Sequence, residues 1–129
     1  MFRSTVLVVD DDEASLLISR ARLEDAGYTV VTRDESLGTV RAMADIAPDV
    51  VLLDVMMPAL SGHRLADVIK GRPGLADIPI IFHSSKQLSN LQTLADDKGA
   101  LGAIAKTADD ASFIAQFERL YRRRPEYGT

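Results

Sequence analysis

The sequence predicts an α/β protein, with one parallel sheet covered by helices on both faces, and three observations predict it. Short runs rich in Val, Ile and Leu alternate with helix-like stretches along the 129 residues, the pattern of strands joined by helical crossovers. The runs at 6–9 and 50–53 are apolar throughout, as in strands buried on both sides. Gly or Pro stands where the first four helices must stop.

The first strand is expected at residues 6–9. A first helix follows, in which Ala14, Leu17, Ile18 and Ala21 recur at i, i+3, i+4 and i+7 and Gly27 supplies the end. The second strand is the short run at 30–31. The second helix is expected over 36–47, because the residue before Pro48 disfavours helical dihedrals. The third strand occupies 50–53, and the third helix 62–70 ends in the turn-rich GRPG at 71–74. The fourth strand is read at 80–82 and the fourth helix at 89–98, stopped by Gly99. After a fifth strand at 103–105, Asp109 or Asp110 can cap a last helix whose Phe113, Phe117 and Leu120 form an apolar stripe.

Length and a 47% hydrophobic content suit one core, hence one domain over 1–124 and a short C-terminal tail at 125–129. No apolar run approaches the roughly 18 residues that span a bilayer, and the chain contains no cysteine. A cytoplasmic protein without a membrane partner is expected. The net charge of −4 argues against direct binding of nucleic acid, which needs a surplus of Lys and Arg on one face. The basic cluster Arg122, Arg123 and Arg124 reads instead as a complement to the negative end of the last helix.

In an open parallel sheet the residues just past the strand ends converge on one rim, where ligands bind. Here strand one runs into Asp10, Asp11 and Asp12, strand three into Asp54, strand four into Ser84 and Ser85, and strand five into Lys106. For Asp12 and Ser85 an ordinary role in capping the next helix suffices. The remaining acids are harder to explain as turn formers. Two unpaired carboxylates about 4 Å apart repel by about 4 kcal/mol at an effective dielectric near 20, so a positive group is expected among them. Oxygen donors without His or Cys suit Mg2+. Such a site serves phosphoryl transfer, in which a carboxylate attacks phosphorus while positive groups and a hydroxyl donor take up charge on the phosphoryl oxygens. Asp54, a metal held by Asp11, Lys106 and Ser84 fill those roles.

With these residues in hand, the chain resembles the receiver domain of two-component response regulators. VLVVDDDE, VVLLDVMMPALSG, IPIIFHSS and GALGAIAK stand in family order, and the likeness covers nearly the whole chain. The resemblance implies a doubly wound, flavodoxin-like five-stranded sheet in the order 2-1-3-4-5. It implies that Asp54 is the phosphoacceptor and that Asp10 and Asp11 form the acidic pair, Asp11 binding Mg2+ directly and Asp10 through water. Met56 matches the position whose backbone carbonyl completes the metal site, Ser84 the switch hydroxyl, and Lys106 the lysine of the pattern. It also implies the partners: a sensor histidine kinase or histidine phosphotransfer protein as donor, and a downstream effector protein or fused output domain as reader. The chain would then be no enzyme in its own right, acting only on its own phosphorylation state.

Two positions depart from the family pattern. Ala103 stands where many receivers have Tyr or Phe, and Thr107 follows Lys106 where a proline is common. A cis Lys106–Thr107 bond would cost about 3–4 kcal/mol, so a trans bond is expected. These departures support a second reading, an interaction module of the same fold with weak or phosphorylation-independent signalling. A metal-dependent phosphohydrolase of the haloacid dehalogenase type is disfavoured, because a second acid is expected two residues after the nucleophile and position 56 is Met. His63 and His83 read as packing or hydrogen-bonding residues rather than metal ligands.

Overall fold

A computed structural model describes residues 4–85 and 88–124; the tail expected at 125–129 lies outside the described residues. The chain folds as β1 Thr5–Val9, α1 Glu13–Asp25, β2 Thr29–Arg33, α2 Thr39–Ile46, β3 Val50–Leu53, α3 Gly62–Lys70, β4 Ile80–Ser84, α4 Leu88–Lys98, β5 Gly102–Ala105 and α5 Asp110–Tyr121. All pairings are parallel and the strand order is β2-β1-β3-β4-β5, as the resemblance implied.

The pleat sorts the core into two layers. Leu7, Val9, Val51, Leu53, Ile80, Phe82 and Ala103 face α2, α3 and α4, where Met43, Leu65, Ile69, Leu91 and Ala95 meet them. Their sequence neighbours Val6, Val8, Val50, Leu52, Ile81 and Ile104 face α1 and α5, against Leu16, Leu23, Phe113, Phe117 and Leu120. Both faces of β1, β3 and β4 are therefore dry, which is why their sequences read as unbroken apolar runs.

Three local expectations are corrected. Ala14, Leu17, Ile18 and Ala21 mark a real helix but not its buried face: all four are exposed, and α1 instead buries Leu16, Ser19 and Leu23. The segment carries apolar side chains on two faces, and only docking against the sheet selects between them. The second helix begins at Thr39, not at residue 36, because Gly38 adopts a left-handed φ of 81° that a helix cannot include. Strand four continues through Ser84, since its ladder with β5 extends to the pair Ser84 and Ala105.

Other signals hold. The last helix is capped by Asp109, whose side chain accepts the Ser112 N–H at 2.8 Å, and Phe113, Phe117 and Leu120 are buried. At its far end the Arg124 guanidinium donates to the Tyr121 carbonyl at 2.8 Å and stacks over the Tyr121 ring, consistent with basic residues satisfying the final helical turn. No helix among the described residues is long and apolar enough to cross a membrane.

Candidate functional site

The parallel ladder fixes the site. Val9 pairs with Leu53, so the next residue of each strand, Asp10 and Asp54, emerges at the same level of the rim. Backbone bonds pin both: the Asp10 N–H donates to the Arg33 carbonyl at 3.0 Å, and the Asp54 N–H to the Val9 carbonyl at 2.9 Å. Both side chains are buried, Asp10 at 1% and Asp54 at 4% exposure, whereas Asp11 is exposed. Asp10, Asp11 and Asp54 each offer a carboxylate oxygen within 4.8 Å of the others. These hard donors, with no His or Cys among them, fit a small divalent cation that keeps several of its waters.

Lys106, one residue beyond β5, reaches into the same group. Its ammonium lies 2.8 Å from Asp10 Oδ2 and 3.5 Å from Asp54 Oδ2. The positive group that the acids demand is thus partly supplied by the chain itself: Lys106, expected from the sequence to meet a phosphoryl oxygen, also contacts the acids. Burial lowers the affinity of Lys106 for its proton, but the hydrogen bond it donates to Asp10 and the charge of Asp54 outweigh this and raise its pKa overall.

Asp54 holds its proton more tightly than an ordinary carboxylate. Burial raises its pKa from 3.8 to about 6, with the charge of Asp10 adding to the rise. The Met56 backbone N–H, donating to Asp54 Oδ1 at 3.1 Å, and the charge of Lys106 oppose it. One Asp54 oxygen is therefore held by the backbone and the other faces Asp10 and Lys106. The Met56 side chain is 54% exposed, so nothing in the packing dictates its identity.

The loop beneath Asp54 is shaped by close backbone approach. The Gly62 N–H, at the first position of α3, donates to the Val55 carbonyl at 3.0 Å. A Cβ on Gly62 would lie 1.9 Å from the Asp54 carbonyl oxygen, so only glycine lets the helix start there. Ala59, in the same loop, is held at a left-handed φ of 66°.

Ser84 is fully buried at the end of β4, on the side of the sheet that Phe82 shares. Its carbonyl accepts the Lys106 N–H at 2.9 Å, which ties the two strand ends together. His83 points to the opposite face, edge-on to Phe113 with ring centroids 5.3 Å apart. Burial, followed by the nearby Lys106 charge, lowers its pKa to about 4 and keeps it neutral. That matches a packing role. His63 lies at 3.4 Å from the Ser61 hydroxyl at the start of α3, away from the acids' donor set. Asp12 caps α1, its side chain accepting the Ala14 N–H at 3.0 Å, and Ser85 is exposed. All peptide bonds among the described residues are trans, including Lys106–Thr107.

The comparisons with known proteins agree with this fold and name a family. The response regulator receiver domain family matches residues 6–118. The transcriptional regulatory protein KdpE of Mycobacterium tuberculosis is 36% identical over 118 residues, covering 92% of this chain and 51% of that protein. The phosphate regulon regulator PhoB of Pseudomonas aeruginosa is 30% identical over 123 residues, covering 95% of this chain and 54% of its own length. The chain thus spans about half the length of these relatives. Among solved structures, a putative response regulator from Chloroflexus aurantiacus superposes with a TM-score of 0.86 at 21% identity, covering 94% of this chain and 99% of that one. The signal receiver domain of a histidine kinase from Syntrophus aciditrophicus does so with a TM-score of 0.80 at 26% identity, covering 98% and 97%. A doubly wound parallel sheet whose rim gathers three acids and a lysine, matched by this family over most of its length, leads to one assignment: the chain belongs to the response regulator receiver domain family of two-component systems.

Proposed function

We propose that the chain is a phosphoacceptor in a two-component phosphorelay, taking a phosphoryl group from a phosphohistidine of a sensor kinase or histidine phosphotransfer protein onto Asp54. The observation that carries this reading is the convergence of Asp10, Asp11 and Asp54 within 4.8 Å, with the Lys106 ammonium against two of them.

In the transfer, an Asp54 carboxylate oxygen attacks phosphorus, the phosphorus–nitrogen bond of the donor breaks, and the imidazole nitrogen leaves with the electron pair. The Met56 N–H holds Asp54 Oδ1, leaving the Oδ2 side for attack. Lys106 exchanges its contact with Asp54 for an oxygen of the arriving phosphoryl group and keeps Asp10 as its anchor. Ser84 donates its hydroxyl to another. Asp10, Asp11, Asp54 and the Met56 carbonyl would hold Mg2+, which neutralises phosphoryl charge when bound. The phosphorylated state then biases the surface around β4, β5 and α4 toward a downstream effector or a fused output domain.

A second reading, an interaction module with weak or phosphorylation-independent signalling, is favoured by one observation. Ala103 is a buried methyl group in the layer that contains Leu91 and Ala95 of α4, so no aromatic ring can swing there in response to Ser84. Acetyl phosphate with Mg2+ separates the two. The first reading expects intact mass spectrometry to find one acid-labile phosphoryl group on the wild type and none on Asp54→Asn. An unchanged wild-type mass favours the second.

A further inference from the structure

We propose that Arg22, on α1 and away from the acidic cluster, is a positioning residue for Lys106. The inference rests on the role given to Lys106 above. The turn that follows β5 has to aim the lysine, and its own sequence does little to fix it. Thr107 is exposed, and the peptide bond before it is an ordinary trans bond. Among the described residues, backbone contacts secure one side: the Lys106 N–H reaches the Ser84 carbonyl at 2.9 Å and the Ala108 N–H the Ala105 carbonyl at 3.2 Å.

Arg22 secures the other side. Its guanidinium donates from Nη2 to the Ala108 carbonyl at 3.1 Å and from Nε to Asp110 Oδ1 at 2.6 Å. It lies 5.1 Å over the Phe113 ring, whose edge contact with His83 continues to the strand that carries Ser84. The Arg22 side chain is only 13% exposed although its carboxylate partner is 85% exposed. A planar, pre-organised fork that is packed on one face and bonded along its edge holds a backbone segment far better than a solvated ion pair would. The guanidinium thus spans the β5–α5 turn and the first turn of α5, fixing where the turn stands relative to β4. Lys106 extends from that turn to Asp10 and Asp54.

A double-mutant cycle with acetyl phosphate and Mg2+ tests this, reading the rate at which Asp54 is labelled. Arg22→Met keeps an apolar stem over Phe113 but removes the donors. It should slow labelling about tenfold, the order expected when a reacting group is misplaced by a fraction of an ångström. In a Lys106→Met background the same change should alter the rate less than about twofold, because the residue through which Arg22 acts is gone. Arg22→Lys, which retains a donor, should recover part of the loss. Circular dichroism melts establish that each variant is folded at the assay temperature; should Arg22→Met not be, Arg22→Lys takes its place in the cycle with the same expected non-additivity. Equal slowing in both backgrounds would make Arg22 a general structural residue and overturn the inference, as would wild-type labelling by Arg22→Met. Absence of labelling in the wild type would instead overturn the phosphoacceptor reading on which it rests.

Discussion

Gly62→Ala tests whether close backbone packing of α3 beneath Asp54 builds the site. The added methyl would stand 1.9 Å from the Asp54 carbonyl oxygen, 2.7 Å from its carbonyl carbon and 2.8 Å from Val55 Cα. Ordinary contacts between such atoms fall near 3.5 Å, so the start of α3 and the Asp54–Val55 backbone must separate by more than about 1 Å. None of the three atoms belongs to a side chain that could rotate away. Overpacking of this kind costs about 3 kcal/mol, and weakening the Gly62 N–H bond to the Val55 carbonyl adds about 1 kcal/mol. The better helix propensity of alanine returns about 1 kcal/mol, for a net loss of about 3 kcal/mol. For a domain of this size that lowers Tm by about 10 °C. Because two of the displaced atoms belong to Asp54, the proposed phosphoacceptor, labelling by acetyl phosphate should fall about a hundredfold at a temperature where the variant is folded. Gly74→Ala is the control. Gly74, unlike Gly62, lies in glycine's left-handed region, at φ +86°, and nothing stands within 4 Å of its missing Cβ, so only the backbone strain of about 1 kcal/mol should register. The reasoning is refuted if Gly62→Ala melts within about 2 °C of the wild type, or if it labels at the wild-type rate.

Further outcomes follow from the charges and the backbone. In EDTA, Asp54→Asn should melt above the wild type at pH 7, and the gap should shrink by pH 4. The folded pKa of Asp54 is raised from 3.8 to about 6, so the stability linked to its protonation is fully present below 3.8 and is lost as pH rises through 6. The shift corresponds to at most about 3 kcal/mol; a gap that is the same at both pH values would contradict it. Mg2+ at ten times its dissociation constant should stabilise the native state by about 1.4 kcal/mol, and Asp11→Asn should lose most of that gain in the same thermal melts. Ala47, which ends α2 at a left-handed φ of 51°, should be improved by glycine: Ala47→Gly raises stability by about 0.5–1 kcal/mol in urea denaturation, because relief of left-handed strain of about 1–2 kcal/mol outweighs the added freedom of the unfolded chain.

Much of the fold was legible because its signals are local. The unbroken apolar runs at 6–9 and 50–53, the Gly99 stop with its φ of 72°, and the Asp109 cap depend on dihedrals and near neighbours, and the structure places each as expected. The start of α2 was misread because Ser36 and Leu37 are compatible with a helix and only the left-handed Gly38 excludes them. The buried face of α1 was misread for a different reason. Four exposed apolar residues formed a better stripe than the two leucines and one serine that face the core.

The candidate site divides in the same way. Asp10, Asp11, Asp54 and Lys106 were identifiable because strand ends of a parallel sheet must share a rim, whatever the side chains do afterwards. That Lys106 already neutralises Asp10 and touches Asp54 was not identifiable, since a long flexible side chain leaves no trace of its direction in the sequence.

By itself the sequence determined where β1, β3 and β5 end, and so which chemistry can gather at one edge, because hydrophobic run length and chain direction fix that much. Only the tertiary structure decided which face of α1 is dry, how closely Gly62 approaches Asp54, and that Arg22 meets the turn after β5, from which it is separated by 86 residues. These depend on contacts between distant segments, whose free energies are set by packing and desolvation that no local pattern records.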